Sequence, residues 1–137
     1  MTHPIVIAAR ALRGKPFRHR GRGPVYYDCA GVALAAVQAA TGRTLLDLRH
    51  YGREPAKDGL RAAVEANAGP PILGEPEPGD VGLFCFVTAP HHLAVFGDHP
   101  AGGLSIIHAR ADVGVVCETI FDQLWRNRLI AAYRVPV

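Results

Sequence analysis

The chain has 137 residues, 49% of them apolar, and a formal net charge of +3. That is enough apolar material for one domain over residues 1–137 to bury its own core, which excludes a disordered chain. The odd set of Cys29, Cys85 and Cys117, at wide spacings, fits neither a disulfide framework nor a zinc site. Synthesis in a reducing compartment, with no metal or other cofactor, is the expectation.

The N-terminal MTHPIVIAARALRGK offers a short apolar run, Ile5 to Ala9, with no lysine or arginine before it and no obvious cleavage site. No stretch reaches the roughly 20 apolar residues of a membrane span. The expectation is a soluble protein made in the cytoplasm without a signal peptide and without membrane insertion. Pro4 suits the first position of a helix that runs through Ile5, Ala8, Ala9 and Leu12 to a stop at Gly14. Gly14 to Tyr27 is rich in glycine and proline and reads as an ordered loop. Arg18, Arg20 and Arg22 cluster in it, with Arg13 and Lys15 just before. The cluster is either a solvated basic loop or a grip on an anionic partner. With no aromatic stacking platform or recognition helix beside it, nucleic acid is not expected.

Asp28 can cap the nearly all-apolar helix CAGVALAAVQAA, which Gly42 stops; a helix apolar all round is a buried one. Thr44 to Pro55 is polar and ambiguous. Asp58 can cap a third helix, Gly59 to Ala68, ended by Gly69 and Pro70. After the proline-rich turn Glu75 to Gly79 the pattern changes to alternation and short apolar runs. Val81 to Thr88, His92 to Gly97, Leu104 to Ala109, Val113 to Thr119 and Leu129 to Val135 predict five strands. Helices first and an antiparallel meander after them define an α+β domain, with the buried helix packed on the sheet.

A thiolate attacks a carbonyl far better than a thiol, so a catalytic cysteine needs an environment that ionises it. Cys29 would occupy the first turn of its helix, where backbone N–H groups and the helix dipole favour negative charge. The same N–H groups can stabilise an oxyanion, worth about 3 to 4 kcal/mol per donor in other hydrolases. The base is sought in HHLAVFGD. On a strand His92 shares its face with Ala94 and Phe96, and the small Ala94 leaves room beside it, so His92 is preferred to His91. A third polar group should fix the tautomer of that imidazole. His108 on the next strand fits the role, with Asp112 as the alternative. Cys85 and Cys117 lie inside apolar strand runs and read as packing residues. A metal held by Cys29, His92 and His108 lacks a close ligand pair, and none is expected.

In order along the chain, GKPFRHRGRGPVYYDCAGVAL, PEPGDVGLF, HLAVFGD and SIIHA resemble successive segments of the NlpC family of bacterial cell-wall cysteine peptidases, a compact papain-like group. The resemblance implies Cys29 as nucleophile, His92 as base and His108 as orienting residue. It also implies an amide substrate in peptidoglycan stem peptides, of the D-glutamyl–diamino acid type. Many members have a tyrosine where this chain has Phe17, whose ring cannot donate to an oxyanion; His19 or Tyr27 is then the candidate second donor. Ala30 replaces the common serine after the nucleophile. Phe17, Arg18, His19, Arg20 and Tyr27 are the expected substrate-binding residues, the arginines facing stem-peptide carboxylates.

FRHRGR and the C-terminal WRNRLIAAYRVP look most like the branch of the family found in tails of phages and gene-transfer agents. That branch implies tail-protein partners, assembly into a virion and action in the periplasm. Two other classes compete: a structural or adaptor tail protein with a weak or inactive site, and an acyl-transfer or amide-hydrolysing enzyme acting elsewhere.

Overall fold

The computed structural model describes residues 2–47, 59–85 and 90–137. The elements follow in the order α1 (Pro4–Arg10), α2 (Cys29–Thr41), α3 (Gly59–Ala68), β1 (Val81–Cys85), β2 (Pro90–Asp98), β3 (Leu104–Arg110), β4 (Val115–Ile120), α4 (Gln123–Arg128) and β5 (Leu129–Tyr133). The α+β expectation holds. The expected cap Asp58, most of the ambiguous segment 44–55 and the end of the first predicted strand at 86–88 lie outside the described residues.

Local chemistry sets the helix ends. Proline opens α1, and the ring of His3 accepts the Ile5 N–H at 3.1 Å. At α2 the extended Asp28 accepts the Gly31 N–H at 2.7 Å. Gly42 closes α2 in the left-handed region at φ 71°, its N–H bonded to the Gln38 carbonyl. The first helix ends at Arg10, four residues before the predicted stop at Gly14, because residues 11–14 turn away from it.

The five strands lie in the order β4-β3-β2-β1-β5, and all neighbours are antiparallel. The last strand therefore departs from the expected meander. Instead of pairing with β4, it returns along β1 at the far edge, and α4 lies in the chain between those edges.

The sheet has two unlike faces. Val81, Leu83, Leu93, Val95, Ile107 and Tyr133 face α1 and α2, whose Ile5, Val6, Ala9, Val32, Ala36 and Val37 complete an almost entirely aliphatic core. Each such side chain contributes roughly 1.5 to 3 kcal/mol on burial, which makes this face the main source of stability. The opposite face gathers Phe84, Ala94, Phe96 and Ile106 under Phe121 and Trp125. Gly82 belongs to it for a steric reason: a Cβ there would come within 2.7 Å of the rings of Phe84 and Phe96. At the helix-facing edge the buried Asp80 takes a two-pronged contact from Arg134 at 2.9 and 3.0 Å, tying the turn before β1 to the residue after β5.

Candidate active site

Cys29 is the first residue of α2, and the preceding loop fixes where that helix begins. The loop is pinned to edge strand β4 by Gly14 N–H to the Val116 carbonyl, Val116 N–H to the Lys15 carbonyl, and Phe17 N–H to the Gly114 carbonyl. It then crosses the first turn of α2. The Gly21 carbonyl accepts the Asp28 N–H at 3.1 Å and lies so close to Gly31 that a Cβ there would stand 2.2 Å from its oxygen. A side chain two residues after the thiol would push the loop off the helix. Arg22 completes the clamp, donating to Asp28 at 2.7 Å, to Asp47 at 3.1 Å and to the Gly21 carbonyl at 3.1 Å.

The thiol is partly buried. Burial pushes it up to about 11, and the Asp28 carboxylate adds to that rise; the backbone N–H groups of Leu93 and Ala30 and the charge of Arg22 pull the other way. The first-turn N–H group of Ala30 thus acts in the direction expected from the helix start, against the effect of burial. Desolvation and the capping carboxylate outweigh the first-turn dipoles, and ionisation calls for a neighbouring base. The influence of the Leu93 N–H places the thiol near β2, at the residue that follows His92.

His92 and His108 lie on the second, aromatic face of the sheet, and both are buried. Val95 pairs with Ile107 in the β2–β3 register, which sets His108 diagonal to His92 across the small side chain of Ala94. The two rings meet through His92 Nε2 and His108 Nδ1 at 2.7 Å. With Nε2 engaged there, Nδ1 is the nitrogen of His92 left for other contacts. Burial holds His108 down at about 3, with the positive charges of His92 and Arg110 acting the same way and Asp112 opposing them. His108 is thus a neutral partner across the physiological range. Its remaining nitrogen, Nε2, lies 3.2 Å from the Thr119 hydroxyl oxygen on β4.

Trp125 roofs this pair. Asp122 caps the six-residue α4 by accepting the Trp125 N–H at 3.1 Å, which turns the indole onto the sheet. Its ring centroid lies 5.8 Å from that of His92 and 5.0 Å from that of His108, while Phe84 meets His92 edge-on at 6.2 Å. The imidazoles therefore sit among aromatic rings, a low-dielectric setting that strengthens the hydrogen bond between them. Sequence reasoning missed both α4 and Trp125 as site elements.

The other expected site residues are more scattered. Phe17 is half-buried and packs on the aliphatic core. Tyr27 is buried, and a Cβ on Gly23 would come within 2.6 Å of its hydroxyl, so that hydroxyl lies inside the loop. Arg18, His19 and Arg20 are exposed, with the Arg18 guanidinium over the ring of Tyr26 at 5.2 Å. Arg22, counted in the basic cluster, is committed to Asp28 and Asp47. Asp112, the alternative orienting residue, is exposed and ion-paired with Arg110. The His91 side chain lies outside the described part of the chain. Among the described residues no group of three or more His, Cys, Asp or Glu is placed to hold a metal ion. Among them, too, no helix is long and apolar enough to cross a membrane.

The molecule is a helix-on-sheet α+β domain in which a cysteine opens the buried helix and a bonded imidazole pair bridges two neighbouring strands of the sheet. Residues 14–134 match the model of the NlpC/P60 family, and the chain belongs to that family. No curated protein matches the sequence. Among solved structures, the NlpC/p60 domain of the peptidoglycan hydrolase SagA has a TM-score of 0.65 at 20% identity, covering 96% of this chain and 97% of that one. An NlpC/P60 family protein of Bacillus cereus reaches 0.70 at 17% identity, over 97% of this chain and 40% of that one. A Staphylococcus aureus protein described as similar to a lipoprotein of the NLP/P60 family gives 0.66 at 20% identity, over 98% and 41%. The chain spans about two fifths of the length of the latter two proteins. These likenesses establish the shared fold.

Proposed function

We propose that this chain is a cysteine peptidase that hydrolyses amide bonds in peptidoglycan stem peptides, of the D-glutamyl–diamino acid type. The observation that carries the reading is the buried His92–His108 contact at 2.7 Å between β2 and β3, with the backbone N–H of Leu93, next to His92, acting on the Cys29 thiol. His92 Nδ1 takes the thiol proton as the sulfur attacks the amide carbon. The resulting oxyanion faces the N–H groups at the start of α2, and the His92 imidazolium then protonates the leaving amine. Water, deprotonated by His92, hydrolyses the thioester and restores the thiol. His108 stays neutral throughout and holds the ring of His92. The exposed Arg18 and Arg20 are suited to stem-peptide carboxylates, beside Phe17, His19 and Tyr27.

FRHRGR and WRNRLIAAYRVP support a finer assignment, to a component of a phage or gene-transfer-agent tail. On that reading the protein is made in the cytoplasm, joins other tail proteins in the virion and acts on the wall from the periplasm. A structural or adaptor tail role with a weak site is the second reading. It is favoured by Phe17, which has no hydroxyl for the oxyanion, and by a thiol held up at about 11.

Mass spectrometry of digested sacculi tests the proposal. The expected product pair is a fragment ending in D-glutamate and a fragment beginning with the diamino acid, with none from folded Cys29→Ala protein. Undiminished release by Cys29→Ala would sink the peptidase reading, and no release by the unmodified protein would favour the adaptor.

A further inference from the structure

The line of contacts through His108 continues past Thr119 to Cys117. Its Nδ1 faces His92, its Nε2 faces the Thr119 hydroxyl at 3.2 Å, and that hydroxyl lies 3.9 Å from the sulfur of Cys117. Cys117 pairs directly with His108 across β3 and β4, so all four groups form one line across three neighbouring strands.

A neutral imidazole has one N–H and one bare nitrogen, so two proton arrangements fit this line. In the first, His92 donates from Nε2 to His108 Nδ1, His108 donates from Nε2 to the Thr119 oxygen, and the Thr119 hydrogen points to the Cys117 sulfur. In the second, every bond reverses: Thr119 donates to His108 Nε2, His108 donates from Nδ1 to His92 Nε2, and the neutral His92 carries its hydrogen on Nδ1. The second arrangement leaves His92 no lone pair on Nδ1 for the Cys29 proton. Cys117 fits either arrangement, accepting the Thr119 hydrogen in the first and donating its S–H to the Thr119 oxygen in the second, so what sets the first apart is the bare Nδ1 it leaves on His92. Among the described residues the charged groups acting on His108 are His92, Arg110 and Asp112, the last two paired with each other at 2.5 Å.

We propose that Thr119 is a positioning residue of the site: by accepting the His108 Nε2–H it fixes the tautomer of His108, and through it keeps His92 Nδ1 available as the base for Cys29. This rests on the peptidase reading for the role of His92, whereas the tautomer can be read without any substrate. Replacing Thr119 by valine keeps the shape and removes the acceptor, leaving a buried N–H unmatched or driving the proton to Nδ1.

The test combines nitrogen-15 NMR of the histidine rings with the rate of Cys29 alkylation by iodoacetamide at pH 7. The unmodified protein should show His108 protonated on Nε2. Thr119→Val should move proton density toward Nδ1 and slow alkylation about tenfold, the scale of one lost hydrogen bond, and Thr119→Ser should restore both. A proton on Nδ1 of His108 in the unmodified protein overturns the proposal even if the valine variant fails to fold. So does unchanged alkylation in Thr119→Val, or a loss in Thr119→Ser as large as in valine. If the ring shifts follow the proposal and sacculi stay intact, the peptidoglycan reading fails and the placement of Thr119 stands.

Discussion

The two faces of the sheet use neighbouring residues of the same strands for different ends. Ile107 and His108 are adjacent and both fully buried, yet Ile107 belongs to the aliphatic layer under the helices and His108 to the aromatic layer under Trp125. The helix-facing side holds the fold together through interchangeable apolar contacts. The other side keeps two buried imidazoles bonded to each other, with the far nitrogen of His108 against the Thr119 hydroxyl. Among the described residues no buried side-chain nitrogen or oxygen lacks a hydrogen-bond partner, so the imidazoles are accommodated without an orphaned polar atom. A change in shape on one face costs packing energy, whereas a change in proton position on the other alters the chemistry of the imidazoles.

That contrast can be broken most forcefully on the aliphatic side. Ile107→Ala should cost about 2 to 5 kcal/mol of stability by opening a cavity under α2, while the tautomer of His108 and the alkylation rate of Cys29 in the folded fraction stay as they were. Denaturant unfolding and alkylation of the same sample check both halves. A comparable loss of thiol reactivity in folded protein would show that the faces are not independent.

A smaller effect belongs to the other face and depends on pH. His108 is held at about 3 in the fold against 6.5 when unfolded, so the unfolded chain binds the extra proton first. Its contribution is therefore intact above about pH 6.5, is lost progressively as pH falls, and levels off near pH 3. At pH 4.5 the loss is on the order of 2 to 3 kcal/mol. Unfolding free energies of the unmodified protein and of His108→Gln, measured from pH 7 to 4.5, should converge toward acid by that amount. Parallel curves would mean that His108 takes up protons in the folded state as readily as in the unfolded one.

Much of this organisation is legible in the sequence. The asymmetry of Asp28, an apolar run and Gly42 marks α2 and puts Cys29 at its start, and alternation in HHLAVFGD and SIIHA puts both histidines on one face. Other features depend on distant parts of the chain. Nothing in the period of Leu129 to Tyr133 says that β5 returns to β1, because strand order is a tertiary choice. The six residues of α4 contain one buried side chain, too little for a helical pattern, so the roof over the histidines goes unseen. Gly31 looks like any small residue of an apolar helix until the Gly21 carbonyl is found against it. The burial of Cys29 goes unseen for a similar reason: the helix start is local and visible, whereas desolvation of the thiol is a tertiary effect.

The central claim is that a thiol held up at about 11 by burial and Asp28 is made reactive by His92. The most direct measurement is the rate of Cys29 alkylation near neutral pH in the unmodified protein and in His92→Gln, which keeps a donor toward His108 but has no basic nitrogen. The unmodified protein should react at least about tenfold faster at pH 7, with the variant gaining speed only toward strongly alkaline pH as the unaided thiol ionises. Equal, slow rates in the two proteins would contradict the account, because the thiol and the imidazole would then not be working together.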